Sequence, residues 1–210
     1  MIEKNERIED LIHELKNILD AAESQFLSFQ AESGLPCPST CGDCCYYPDI
    51  SCYPFELYPL AYQILKNENV DDWIKRLDQH SSSTCVLLQQ TNPELKIGKC
   101  GAYAYRPFVC RAFGVSGLRN EFGQMKLSIC KKLKMLHQHF MAQDNAHEEL
   151  SKRAPEIRLY LEKMRATSMD YSQELMPLNS ALKVAIEKVA LWHHFQNLSV
   201  DRDNWNRDCL

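Results

Sequence analysis

Four cysteines fall within nine residues, Cys37-Pro38-Ser39-Thr40-Cys41-Gly42-Asp43-Cys44-Cys45. A thiolate is a soft, strong metal ligand, and short cysteine spacings in a loop let several sulfurs converge on one ion or cluster. Cys85, Cys100, Cys110 and Cys130 follow at long intervals and would close large loops back onto this knot. The expected chemistry is chelation of zinc, or of iron as an iron–sulfur cluster. Adjacent side chains point in different directions. Cys44 and Cys45 therefore serve two metals, or one of them ligates while the other packs or bridges. Eight sulfurs suit two ions with four thiolates each, or one or two clusters.

Arg106 and Arg111 flank Cys110 in Tyr103-Ala104-Tyr105-Arg106-Pro107-Phe108-Val109-Cys110-Arg111. Four thiolates on one Zn²⁺ leave a net charge of about -2, so guanidinium groups around the ligands are expected. Pro107 fixes a turn and holds Arg106 extended. A coordination position left open beside Tyr103, Tyr105 and Arg106 would favour catalysis. A closed, fully sulfur-ligated site would favour a structural role.

Composition bounds the remaining choices. Ten cysteines in 210 residues are too sparse for a small secreted disulfide scaffold, and clustered cysteines in a reducing compartment are more often ligands than disulfides. The start, residues 1–7, lacks the basic and apolar regions of a secretory signal, so the cytoplasm is the expected compartment. No apolar run approaches ~18 residues, which gives no membrane span. A net charge of -4 gives no reason to expect nucleic acid.

The cysteine pattern resembles a known family. A tight run ends in Cys-Cys, then Cys85-Val86-Leu87-Leu88, then Cys100, then Tyr103-x-x-Arg106-Pro107-x-x-Cys110-Arg111-x-Phe113, then Cys130. This combination is similar to the YkgJ-like cysteine-cluster family of zinc- or iron-chelating domains, over about residues 35–135. The family pattern opens C-x2-C-x2-C-C, whereas this chain opens C-x3-C. The resemblance implies that the ligands are Cys37, Cys41, Cys44, Cys45, Cys85, Cys100, Cys110 and Cys130. It leaves Cys52 and Cys209 outside the set. A related cluster in the flagellin lysine methylases implies methyl transfer as one role. The C-x3-C-x2-C triplet alone is also the signature of radical S-adenosylmethionine enzymes, but those need a large barrel with glycine-rich loops, and this chain has 7 glycines.

The elements that must position these cysteines are mostly helical. Ile8, Leu11, Ile12, Leu15, Ile18, Leu19, Ala22, Phe26 and Phe29 predict one amphipathic helix over residues 5–32, stopped by Gly34 and Pro36. Residues 55–66 predict a helix that Pro59 kinks or shortens. Asn69 caps the next helix. Cys85 to Leu88 reads as a strand, residues 96–105 as a second strand or loop, and 113–129 as a hairpin. Residues 131–143 predict a helix with Leu133, Leu136, Phe140 and Met141 inward, and Pro155 opens another to about Arg165. Asn179 or Ser180 caps a last helix, with Phe195 and Leu198 on its apolar stripe, and residues 199–210 read as a loose tail. The expected fold is mainly α with a small irregular or β cysteine-rich metal-binding centre. It would form one domain over 1–210: the N-terminal helix to residue 33, the core at 35–135, C-terminal helices at 136–198 and the tail. Too little apolar surface lies in residues 35–54 and 85–130 to order them without metal.

The histidines add little. His137 and His139 cannot share a helix face, His193 and His194 are adjacent, and His147 is isolated. Three roles remain: a metal-binding protein, an enzyme using the cluster for methyl transfer or redox chemistry, and a structural zinc module. In the last, the amphipathic helices would offer a surface to a protein partner or a second copy of the chain.

Overall fold

The computed structural model describes residues 8–38, 41–92, 94, 97–138, 144–167 and 174–208, with side chains for all of these except 144–147 and 197–208. Helix α1, Ile8–Glu32, buries Ile12, Leu15, Leu19, Ala22, Phe26 and Phe29 on one side. Its end is set by Gly34 at φ 70°. Gly34 N–H donates to Ala31 O and Leu35 N–H to Gln30 O, a paired closure that buries Leu35 and needs the left-handed glycine.

The chain then runs through the first cysteine loop, including a 3-10 turn at Asp43–Tyr46, into the short strand β1, Ser51–Cys52. Helix α2 spans Tyr58–Asn67 and α3 spans Val70–Gln79. Pro59 does not kink α2. It lies in the first turn, where no intrahelical N–H is required. Asn69 caps α3 as expected, its side chain accepting from Asp71 N–H.

Strand β2, Leu88–Asn92, pairs antiparallel with β3, Ile97–Cys100. Cys85, Val86 and Leu87 are therefore not strand but the turn that precedes it. Helix α4, Phe108–Ala112, leads into the hairpin of β4, Val115–Arg119, and β5, Met125–Ile129, and Cys130 caps α5, Lys131–Leu136. Within α5 only Leu133 is buried, and Leu136 is exposed, because the helix ends too soon to turn that face inward. Phe140, Met141, His139 and Cys209 lie outside the described residues.

Helices α6, Asp144–Arg153, and α7, Ile157–Thr167, pack beside the hairpin and α1. Strand β6, Met176–Pro177, pairs with β1. Helix α8, Leu178–Asp208, packs along α2 and α3. It starts before Asn179, so that residue is not its cap. It also runs on through 199–208 rather than ending near Leu198, since no proline or glycine interrupts it. Phe195 is exposed, not inward. The larger core joins α1, α2 and α8 through Leu19, Phe26, Tyr58, Phe108, Leu182 and Ile186. A smaller one, around Leu35, Val115, Ile129 and Leu133, lies under the hairpin. The structure is thus mainly helical, with three two-stranded sheets among the described residues and an irregular cysteine-rich centre.

Candidate metal centre

Each cysteine is delivered by a different backbone device. Cys37 N–H donates to the buried Gln30 side chain at the end of α1. Cys41 bridges to Gly98 of β3, and a Cβ on Gly42 would come within 2.4 Å of Gly98 O, so only glycine lets the loop lie against that strand. Cys45 N–H donates to Gly42 O within the 3-10 turn, and Cys85 N–H donates to Cys45 O at 2.8 Å. Cys100 ends β3, Cys110 lies in α4, and Cys130 N–H donates to Gly114 O.

The eight sulfurs gather in two neighbouring groups. Cys45 lies within hydrogen-bonding reach of Cys44, Cys85 and Cys100, and Cys44 within reach of Cys110. Cys37 hydrogen-bonds with Cys41, and Cys130 lies within electrostatic range of both. None of the nine described cysteines is in a disulfide. Six of the eight, with Tyr103, Arg106, Lys99 and Gln89, line an open cavity of about 450 Å³. Among the described residues, no three His, Cys, Asp or Glu side chains stand as a ready coordination shell for an ion.

Backbone donors point at the sulfurs in a repeated way. The N–H of Asp43 reaches Cys41, that of Leu87 reaches Cys85, and that of Ala102 reaches Cys100, in each case two residues on. Lys132 and Leu133 N–H groups reach Cys130. Such bonds favour the thiolate over the thiol. Cys44 is pulled down to about 3, chiefly by hydrogen bonds from Cys110 and Cys45, with Arg106 adding its charge. Cys41 is pulled down to about 6 by the hydrogen bond from Cys37. The partners that keep the shared protons, Cys45, Cys37 and Cys110, are pushed up. This is the donor chemistry of a soft-metal site: sulfur ligands with local groups that stabilise their negative charge.

The two arginines are not surface charges, and they differ in what they reach. Arg106 stacks on the Tyr103 ring, 3.5 Å to its centroid, ion-pairs with Glu23 at 2.6 Å, and acts electrostatically on Cys44 and Cys100. Arg111 is buried and turns toward α1, bonding Glu23, Asp20 and the carbonyls of Leu19, Ala104 and Arg106. It ties α4 to α1.

Residues 36–135 match the model of a family designated CxxCxxCC and described as a "putative zinc- or iron-chelating domain". This segment carries the cysteine-cluster domain. No curated protein and no solved structure gave a significant match. The cysteine-cluster domain spans all eight ligand candidates; α1 and the C-terminal helices flank it. No helix among the described residues is long and apolar enough to cross a membrane.

Two groups that support the cysteine-cluster domain escaped the sequence reading. Glu56 is 1% exposed and accepts N–H bonds from Tyr53 and Phe108, so it caps the helix that carries Cys110. Its signal was present: it is the sole charged residue between Tyr53 and Leu65. Asn179 accepts from Val86 N–H across the fold, and no local pattern announces that contact.

Proposed function

We propose that this protein is a metal-binding protein that holds iron as an iron–sulfur cluster in the cysteine-cluster domain. The ligands are drawn from Cys37, Cys41, Cys44, Cys45, Cys85, Cys100, Cys110 and Cys130. The observation that carries this reading is the linked set of five thiols, Cys44, Cys45, Cys85, Cys100 and Cys110, of which Cys44, Cys100 and Cys110 border an open cavity. One zinc ion takes four ligands, and structural zinc sites are closed. Five linked thiols with three more beside them suit a multi-iron group better, and a volume of about 450 Å³ falls in the range of small-molecule sites.

When bound, such a cluster supplies one-electron chemistry or an electrophilic iron. Around it, Arg106 offsets thiolate charge and Tyr103 lies under the guanidinium. Zinc on the same thiolates is the alternative. The cavity wall of Tyr103, Arg106, Lys99 and Gln89 favours a second reading, an enzyme in which a substrate reaches the cluster for redox chemistry or methyl transfer. We place the protein in the reducing cytoplasm, with the chain acting as a single domain.

Anaerobic purification tests the main reading. Iron, acid-labile sulfide and broad visible absorption are the expected result. Colourless protein containing zinc, or no bound metal, overturns it.

A further inference from the structure

We propose that Asn179 is a positioning residue for Cys85: its side-chain amide clamps the backbone on both sides of that cysteine and sets where the thiolate stands. The inference rests on the reading of Cys85 as a metal ligand. Asn179 Oδ1 accepts from Val86 N–H at 3.0 Å, and Nδ2 donates to Thr84 O at 3.0 Å. One amide therefore holds the residue before Cys85 and the residue after it, as a neighbouring strand would.

The clamp is anchored. Asn179 lies in the first turn of α8, between the buried Leu178, Ala181 and Leu182. Leu178 N–H donates to Ile50 O, and Lys183 pairs with Asp78 of α3. The turn is held from other directions too. Arg76 Nη2 donates to Val86 O at 2.8 Å, His80 Nε2 lies 2.8 Å from Thr84 O, and Cys85 N–H donates to Cys45 O. With both flanking peptides fixed, Leu87 N–H is aimed at Cys85 Sγ at 3.4 Å. Asn179 also lines a small cavity together with Cys44, Cys45, Cys85 and Cys110.

An amide is required because the contact needs a donor and an acceptor side by side. Alanine supplies neither. Aspartate keeps the acceptor for Val86 N–H but sets an oxygen against Thr84 O. Groups that orient metal ligands typically cost about 10- to 100-fold in metal affinity when removed.

The test compares wild type with Asn179→Ala, Asn179→Asp and Val189→Ala, all purified anaerobically. Val189 is buried in the same helix, away from the Cys85 turn, and its truncation reports general loss of stability. Metal retention against EDTA, the visible spectrum and the melting temperature are measured. Both Asn179 variants are expected to lose metal about 10- to 100-fold more readily and to change the spectrum. Val189→Ala should keep the wild-type spectrum and retention despite a lower melting temperature. Wild-type behaviour of Asn179→Ala, or equal loss from Val189→Ala, overturns the clamp. If wild type carries no metal, the metal-binding reading fails by itself. The clamp is then read from the iodoacetamide alkylation rate of Cys85 in reduced protein, which should rise in Asn179→Ala while that of Cys130 holds. An unchanged Cys85 rate overturns it.

Discussion

The side chains of Cys110 and Cys44 lie within hydrogen-bonding reach of one another, joining helix α4 to the first cysteine loop. The contact favours the thiolate at Cys44 and the thiol at Cys110. The same inequality holds between Cys41, pulled down to about 6, and Cys37, pushed up. In metal-free, reduced protein the half-exposed Cys41 should alkylate faster than the exposed Cys37. Its rate should fall as pH drops through about 6 and stay flat above about 7. Mass-spectrometric labelling across pH checks both statements.

Ligands and bystanders should separate by substitution. Cys44→Ser and Cys110→Ser are expected to lose metal. Cys52 is fully buried in the main core, outside the thiol network, so Cys52→Ala should keep full metal content at a stability cost of about 1 kcal/mol. Metal analysis of the three variants decides whether the ligand set is drawn correctly.

Glu56 gives the fold a pH signature. Burial pushes its carboxyl up to about 7, above the ordinary 4.5, against the opposing N–H bonds. The folded state thus binds this proton more tightly than the unfolded state. The resulting stability is fully present below about pH 4.5 and is lost as the pH rises to about 7, a change of roughly 3 kcal/mol. Urea midpoints of wild type and Glu56→Gln at pH 5 and pH 7.5 should show a smaller pH dependence in the variant.

Arg111 has no exposed side-chain surface and bonds Glu23, Asp20 and three carbonyls. Lysine cannot reproduce that fork. Arg111→Lys should lower stability by about 1–3 kcal/mol, since the ammonium keeps the charge but leaves buried carbonyls without donors. Thermal unfolding measures the loss.

Metal removal should loosen the centre unevenly. Nothing in the sequence announced non-metal ties within residues 85–130, but residues 108–130 have them, to Glu56, through Arg111 and in the hairpin core. Residues 36–47 have few such ties beyond Gln30 and Gly98. Chelation under reducing conditions should therefore raise hydrogen exchange in 36–47 and leave 108–130 protected.

The helices were readable in the sequence because their apolar residues recur at helical spacing, as with Leu15, Leu19, Ala22 and Phe26, or because a side chain caps them locally, as Asn69 does. The cysteine spacing likewise announced chelation. What could not be read were contacts made by long-range closure. Val86 and Leu87 look like strand by composition, but the bonds to Asn179 and Cys45 around Cys85 fold the segment into a turn. The periodicity of residues 131–143 placed Leu136 inward, but only tertiary packing decides how far a helix is covered. Arg111 shared a motif with Arg106, and nothing local said that one would face α1 and the other the sulfurs.

The Asn179–Val86 bond joins residues 93 positions apart. A ribosome adds roughly 5–20 residues per second, so about 5 to 20 s pass between the emergence of Cys85 and that of the amide that holds it. All eight thiols are translated before α8 exists. A metal captured in that interval would meet a loose Cys85 turn, and the finished site forms only after the last helix docks. On the proposed role of Asn179, ordered loading in the cell would be a late event in the life of the nascent chain, and truncation ahead of Asn179 would leave a chain that has all eight candidate ligands but lacks the amide that holds Cys85.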